Sequence, residues 1–378
     1  DPDGDAATGY ASVVQAIISI FISEGDKINY ITTSTSLITF QHKSPLYLVG
    51  VFSYPIAKSV SLNHLSYLHA LIISLTTKTQ LELIFKRRAN FDLGRMLDGT
   101  SSLFGKFLDN IQDDMGILLG GLEVWRGPKK LREECSKALN VGKVQVRDML
   151  YSIIISDEKI VSITRPKSHS IHPIDIHVLL GTIMSSAPLS TVGSQSWIPI
   201  CLGRFNSSGF LHTLITFIEE GVAVVVITGN KDGFDECREL VGSIQKRLEE
   251  RDLFRQLKEN GSGYSLHSVG VPGIRHFVFK SRRLVQITRP DWSGDYTENE
   301  NKHRLVNVYG EIHSLMHEKG IKMACIRTSE EQIIGWRNSE LEIYASGSSM
   351  MGESVMIGLI KRILEWIKRE EDLIFLSS

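Results

Sequence analysis

Two stretches of the chain repeat one arrangement of apolar and polar positions. LYSIIIS (150–156) and IRHFVFK (274–280) are short runs rich in β-branched and aromatic residues. Each is followed by a second run, KIVSITRP (159–166) or RLVQITRP (283–290), at the same offset of 124 residues. A short turn separates the paired runs, Asp157-Glu158 in one copy and Ser281-Arg282 in the other. Each pair therefore reads as a β-hairpin closed by Arg-Pro, since a proline ends strand pairing.

The order of elements behind each hairpin extends the repeat. After Pro166 the pattern predicts a helix over 172–186, strands over 196–202, 210–219 and 222–228, and a long amphipathic helix over 234–258. After Pro290 it predicts a helix over 299–317, with Leu305, Val308, Tyr309, Ile312 and Met316 at helical spacing. Strands over 321–327, 331–337 and 340–346 follow. A last helix over 352–372 turns a stripe of Met356, Leu359, Ile360, Ile363 and Ile367 to a core. Both copies read β-β-α-β-β-β-α.

The first third gives the same order without its opening hairpin. It predicts a helix over 8–22, strands over 27–32, 36–41 and 45–53, and a helix over 59–78 that runs on towards Phe85. The missing strands are expected upstream of Asp1, because a sheet opened there exposes unpaired edge groups; a partner supplying that edge is the alternative. A further amphipathic helix over 91–114 is expected to pack beside this unit. The fold class is α+β, with units at 1–115, 146–260 and 261–378. A helical connector occupies 116–145, and the Gly/Ser-rich GSGYSLHSVGVPG marks the last boundary.

Composition narrows the chemistry. Lys plus Arg number 42 against 43 for Asp plus Glu, so no global field recommends nucleic acid as a partner. Four scattered cysteines, Cys135, Cys201, Cys237 and Cys325, form no C-x-x-C pair, which excludes a cysteine-rich zinc module and fits a reducing cytosol. The longest strongly apolar run, Val13–Ile22, is far shorter than the roughly 20 residues of a bilayer span. The acidic DPDGDAATGY start does not read as a signal peptide. A cytoplasmic protein is expected.

Motifs for covalent chemistry are missing. Gly105-Lys106 is followed by Phe107 and Gly142-Lys143 by Val144, so neither forms a phosphate-cradling loop. Gly229-Asn230-Lys231-Asp232 places its aspartate one residue too early for a guanine-reading motif and is expected to be a turn. No G-x-S-x-G elbow is present, and Gly347–Gly352 is expected to be the loop and N-cap of the last helix. His169, His172 and His177 lack the companions of a metal site, so no catalytic residue, metal or cofactor is assigned.

Binding features remain. From Val13 to Ile22 only Gln15 and Ser19 are polar, and they share one narrow stripe of the helix. The remaining apolar arc is too wide for one sheet to cover. It is buried either against the 91–114 helix or against another molecule. Trp197 begins a strand after a polar turn, as an edge core residue or a partner anchor. Basic clusters stand at Lys86-Arg87-Arg88, at Lys129-Lys130 with Arg132, and at Lys280 with Arg282-Arg283. They are solvated faces or phosphoinositide contacts.

The β-β-α-β-β-β-α unit resembles the longin domain. The strings SPLYLVGVF (44–52), FDLGRML (91–97), SWIPICLGRFNSSGFLH (196–212), PGIRHFVFKSR (272–282) and WIKREEDLIFL (366–376) resemble the Mon-one family of tri-longin trafficking proteins, also called SAND. These strings span all three units; the family's first longin hairpin and long acidic N-terminal region are not matched. The resemblance implies a subunit that pairs with a Ccz-one-type longin protein as a guanine-nucleotide exchange factor for a Rab-seven-type GTPase. It implies recruitment by a Rab-five-type GTPase and phosphoinositide on late-endosomal, vacuolar and autophagosomal membranes. On this reading Ile17, Ile20 and Phe21 belong to the dimer and Rab face, and Trp197 to a recruiting-Rab contact. Lys86, Arg87, Arg88, Lys280, Arg282 and Arg283 become lipid candidates. The alternative is a longin adaptor or scaffold that binds GTP-loaded Rabs without exchange.

Overall fold

The computed structural model describes residues 4–53, 56–88, 91–141, 146–166, 171–185, 191–261 and 263–376. The repeat is visible in strand order. In the second unit, strands β5 (Met149–Ser156), β6 (Lys159–Thr164), β7 (Gln195–Ile200), β8 (Leu211–Glu219) and β9 (Val222–Thr228) form one sheet in the order β6-β5-β9-β8-β7. In the third, β10 (Ile274–Ser281), β11 (Gln286–Thr288), β12 (Met323–Arg327), β13 (Glu331–Arg337) and β14 (Leu341–Ser348) take the equivalent order β11-β10-β14-β13-β12. Both are antiparallel within the unit.

Alternate strand residues point to opposite faces, so each of these sheets needs two apolar covers. In the second unit Tyr151, Ile153 and Ile155 meet Ile176, Leu179 and Ile183 of helix α8 (Pro173–Ser185). Ile154, Val224 and Val226 meet α9 (Phe234–Glu250) and α10 (Leu253–Asn260) on the other face. The third unit holds α12 (Asn299–Glu318) on one face and α13 (Glu353–Arg369) on the other.

The first unit is thinner. Strands β1 (Tyr30–Thr32), β2 (Ser36–Lys43) and β3 (Leu46–Ser53) form a three-stranded sheet in that order, and among the described residues no strand pairs with β3 where the hairpin stands in the other units. Helix α2 (Lys58–Thr76) seals one face, with Leu65, Ile72 and Ile73 against Leu46 and Leu48. A Thr39–Ser61 hydroxyl bond of 2.8 Å joins the layers.

Helix α2 is also the centre of the molecule, packing on both α8 and α12. The α12 crossing is close because residue 310 is glycine: a Cβ there would lie 2.2 Å from Val60 Cγ2. The predicted 91–114 helix is two pieces, α4 (Leu93–Met96) and α5 (Ser101–Ile111), broken around Gly99 at a φ of +79°. It packs not on the first unit alone but also on α8, where Phe107 lies over Gly181. Two other long predicted helices break at left-handed residues. The first gives α2 and α3 (Lys78–Arg87) at Thr77; the second gives α9 and α10 at Asp252. The last predicted helix ends at Arg369, and α14 (Glu371–Ile374) is separate.

The connector does more than link. Helix α6 (Met115–Leu119) leads to β4 (Leu122–Glu123), which pairs in parallel with β11. Leu122 N donates to Val285 O at 3.0 Å, while Trp125 N donates to Ile160 O at 3.0 Å. The outer strands of the second and third hairpins are therefore both capped by this one segment. Helix α7 (Lys129–Leu139) then joins the second unit's core through Leu131, Cys135, Ala138 and Leu139. The third hairpin departs from its sequence reading: Ser281 is still paired, and the turn comprises residues 282–285.

Candidate docking surface

Helix α1 (Gly4–Ser23) is apolar nearly all round from Val13 to Ile22, and the fold covers only part of it. Ile18 is buried, while Val14, Ile17 and Phe21 are half-buried, a spacing of three, four and seven residues that defines one inward stripe. Val13, Ile20 and Ile22 are 58%, 61% and 56% exposed. Ser19 donates to Gln15 O at 2.8 Å on the polar stripe. Among the described residues, no α1 side chain joins the apolar clusters holding α4 and α5, so that route to burial is not taken. The structure thus turns Ile20 outward and leaves Ile17 and Phe21 partly covered.

The adjoining sheet repeats the imbalance. On β3, Leu46 and Leu48 are buried under α2, whereas Tyr47 and Val51 on the opposite face are 43% and 70% exposed. Tyr47 and Val51 were not singled out from the sequence. The signal was present in LYLVGVF, which is apolar at both alternating sets of positions, as a strand covered on two sides is. A partly uncovered sheet face and an over-apolar helix both belong to the first unit, and both offer apolar area for burial against another protein.

Trp197 lies on β7, the free edge of the second sheet, opposite Leu214. It is half-buried, stacked on His212 at 5.6 Å and edge-on to Phe234 at 5.9 Å. Pro199, exposed two residues on, cannot donate to an added strand. The indole is therefore an edge core residue with one accessible side.

The two sets of lipid candidates differ. Lys86, Arg87 and Arg88 close α3 and are all exposed, with no ion pair among the described residues. Lys280 is instead part-buried and donates to Leu119 O, and burial lowers its pKa. Arg282 Nε lies 3.4 Å from Glu342 Oε1 and its Nη1 donates to Asn338 O at 2.6 Å. Arg283 pairs with Glu371 at 3.5 Å. Arg132 is buried and donates to Asp372 O, and Lys129 pairs with Asp372 at 3.0 Å. Of these clusters, the 86–88 triplet is the one whose cations all lack an ion pair among the described residues.

The remaining motif residues hold the fold. His177 Nε2 is 2.9 Å from Gly121 O and its Nδ1 is 3.5 Å from Asp114, the residue capping α6. His172 Nδ1 accepts from Ile174 N at 3.2 Å; His169 and Gly142-Lys143-Val144 lie outside the described residues. Gly229–Asp232 is a turn, with Asp232 N donating to Asn230 Oδ1 at 3.1 Å. The last helix is capped by Gly352 without a side-chain bond. Burial pushes the Cys135 and Cys201 thiols up to about 12 and that of Cys237 to about 11, so all three stay protonated and unreactive at neutral pH.

Two complete units of this strand order and a first unit holding its last three strands, with helices on their faces, define a tandem longin protein. Family models agree: the first, second and third longin domains of FUZ, MON1 and HPS1 match residues 1–107, 147–246 and 273–371. Vacuolar fusion protein MON1 of Cryptococcus neoformans is 34% identical over 385 residues, covering 100% of this chain and 62% of that protein. The MON1 homolog A of Gallus gallus is 30% identical over 99% of this chain and 68% of its own length, and that of Homo sapiens 27% identical over 99% and 58%. The chain belongs to the MON1 family of vacuolar fusion proteins, and it spans 62% of the length of the Cryptococcus relatives. Among the described residues, no helix is long and apolar enough to cross a membrane.

Proposed function

We propose that this chain is one subunit of a heterodimeric guanine-nucleotide exchange factor, paired with a Ccz-one-type longin subunit and acting on a Rab-seven-type GTPase in vacuole fusion and endosome maturation. The observation that carries this reading is the first unit's incompletely covered helix, α1 with Val13, Ile20 and Ile22 outward. MON1 family membership supplies the trafficking context.

No bond is made or broken in such a protein. An exchange factor binds the nucleotide-free GTPase more tightly than the nucleotide-bound form, and this differential affinity drives nucleotide and Mg²⁺ out. Physically it stabilises the GTPase with a switch loop drawn off the nucleotide. The α1 surface provides apolar area for the partner subunit and the GTPase, with Ile17, Ile20 and Phe21 in the contact. Trp197, on a separate edge, is assigned to a Rab-five-type recruiter. The exposed triplet 86–88 is assigned to an anionic phosphoinositide surface of the late endosome, vacuole or autophagosome.

The test is release of fluorescent nucleotide from a panel of Rab GTPases, with this chain alone, with the Ccz-one-type subunit, and with Ile20→Asp. The heterodimer accelerates release from the Rab-seven type selectively, and Ile20→Asp lowers assembly or exchange without lowering the melting temperature, since the side chain is 61% exposed. Binding of a GTP-loaded Rab with no acceleration would instead establish a trafficking adaptor.

A further inference from the structure

Helix α12 places His313 and His317 one turn apart on the same face, with ring centroids 4.1 Å apart. Both Nε2 atoms face one oxygen of Glu342 on β14: His317 Nε2 is 3.2 Å and His313 Nε2 3.9 Å from Oε2. The Glu342 side chain is 1% exposed. The three ligand atoms all lie within 4.8 Å of one another. One ion pair needs only one of these imidazoles, and 3.9 Å is too long for a hydrogen bond from the other. Around a tetrahedral zinc, with bonds of about 2.0–2.2 Å, neighbouring ligand atoms stand about 3.3–3.5 Å apart, so slight ring rotations close the site.

We propose that His313, His317 and Glu342 form a binding site for a divalent cation of the zinc class. Two imidazole nitrogens and a carboxylate oxygen, with a further position for water, are a donor set that Zn²⁺ takes. The supporting shell is in place. Arg282 Nε lies 3.4 Å from Glu342 Oε1, and Tyr344 OH donates to Oε2 at 3.2 Å, which together fix the carboxylate. Lys280 does not occupy the site, because its ammonium donates to Leu119 O. Its charge and that of Arg282 set the affinity below that of a closed cysteine-rich zinc site.

One ligand of the site reaches a cavity, and the site has a structural consequence. His313 also lines a cavity of about 450 Å³ shared with Asn63 of α2, Gly120 and His172, so it stands where the three units meet. A bound cation would tie α12 to β14. Gly310, where α12 crosses α2, lies one turn before His313. Metal occupancy would therefore stiffen the third unit at the helix that α2 crosses.

The experiment is a Co²⁺ titration of the whole chain followed by visible absorption, with a parallel Zn²⁺ titration followed by thermal melting. One equivalent of Co²⁺ is expected to give the intense band of a low-coordinate site, and Zn²⁺ to raise the melting temperature. His317→Ala and Glu342→Gln should each weaken binding at least about tenfold, while Cys325→Ser leaves it unchanged. His317 is 36% exposed at its side chain, so its variant keeps the fold; His317→Gln serves as a second probe. Absence of binding, or equal binding by the wild-type chain and the two His317 variants, would overturn the proposal.

Discussion

Glu123 Oε1 accepts from Lys159 Nζ at 2.6 Å while its Oε2 lies 3.3 Å from Arg289 Nε, so one carboxylate of β4 holds a cation from each of the two repeated hairpins. Burial alone would raise the carboxyl pKa, but Arg289 and Lys159 outweigh it and hold the group below its ordinary value. A lowered carboxyl pKa contributes stability that is complete at neutral pH and lost as pH falls through the ordinary carboxylate range to the folded value. Glu123→Gln should cost about 1.5–3 kcal/mol at pH 7. In melting curves from pH 7 downward, the variant should also lose less stability than the wild type below about pH 4.5.

Gly310→Ala tests the α2–α12 crossing. Alanine favours the helix over glycine by about 1 kcal/mol, yet its Cβ would meet Val60 Cγ2 at 2.2 Å. Overpacking of about 1–3 kcal/mol should win, giving net destabilisation by chemical denaturation. Adding Val60→Ala should restore part of the loss, because the clash and its relief belong to the same atom pair.

The turn of the second hairpin is strained at both residues, with φ of +48° at Asp157 and +63° at Glu158. Two-residue hairpin turns that need positive φ at both positions favour Asn-Gly. Asp157→Asn with Glu158→Gly should stabilise the chain by about 1 kcal/mol, since both residues are exposed and nothing is lost from the core. An unchanged denaturation midpoint would show that the strain is relieved elsewhere.

Replacing Lys86, Arg87 and Arg88 together by alanine should weaken binding to vesicles containing phosphoinositide by about 1 kcal/mol per residue. The difference should shrink as salt rises, because exposed charges are screened. Arg282→Ala should act differently. It removes a partner of buried Glu342 and lowers stability, with vesicle binding largely kept.

The repeated β-β-α-β-β-β-α order was legible because the ITRP repeats and their alternating runs recur at a fixed spacing, and its longin character came from the resemblance to that family. Helix breaks were less so. Thr77 and Asp252 take left-handed backbone angles inside otherwise continuous amphipathic patterns, and tertiary contacts such as Lys78 N to Ser207 O at 2.9 Å set the first of them. The over-apolar α1 stood out by composition, but composition could not say which side faced outward. The pairing of β4 with β11 was invisible, since its strand is two residues long and its register is supplied by distant chain. The role of Lys280 was misleading for the same reason: a basic cluster in sequence separates in space when one member turns inward.

Because residues 122–125 donate main-chain bonds to Val285 on one side and Ile160 on the other, the second and third units cannot pivot against each other without first breaking those bonds. One short segment thus ties them into a common base. Any pushing or pulling that a bound partner exerts on the first unit then reaches this base through α2, which meets it at both α8 and α12, and through α5, which packs on α8.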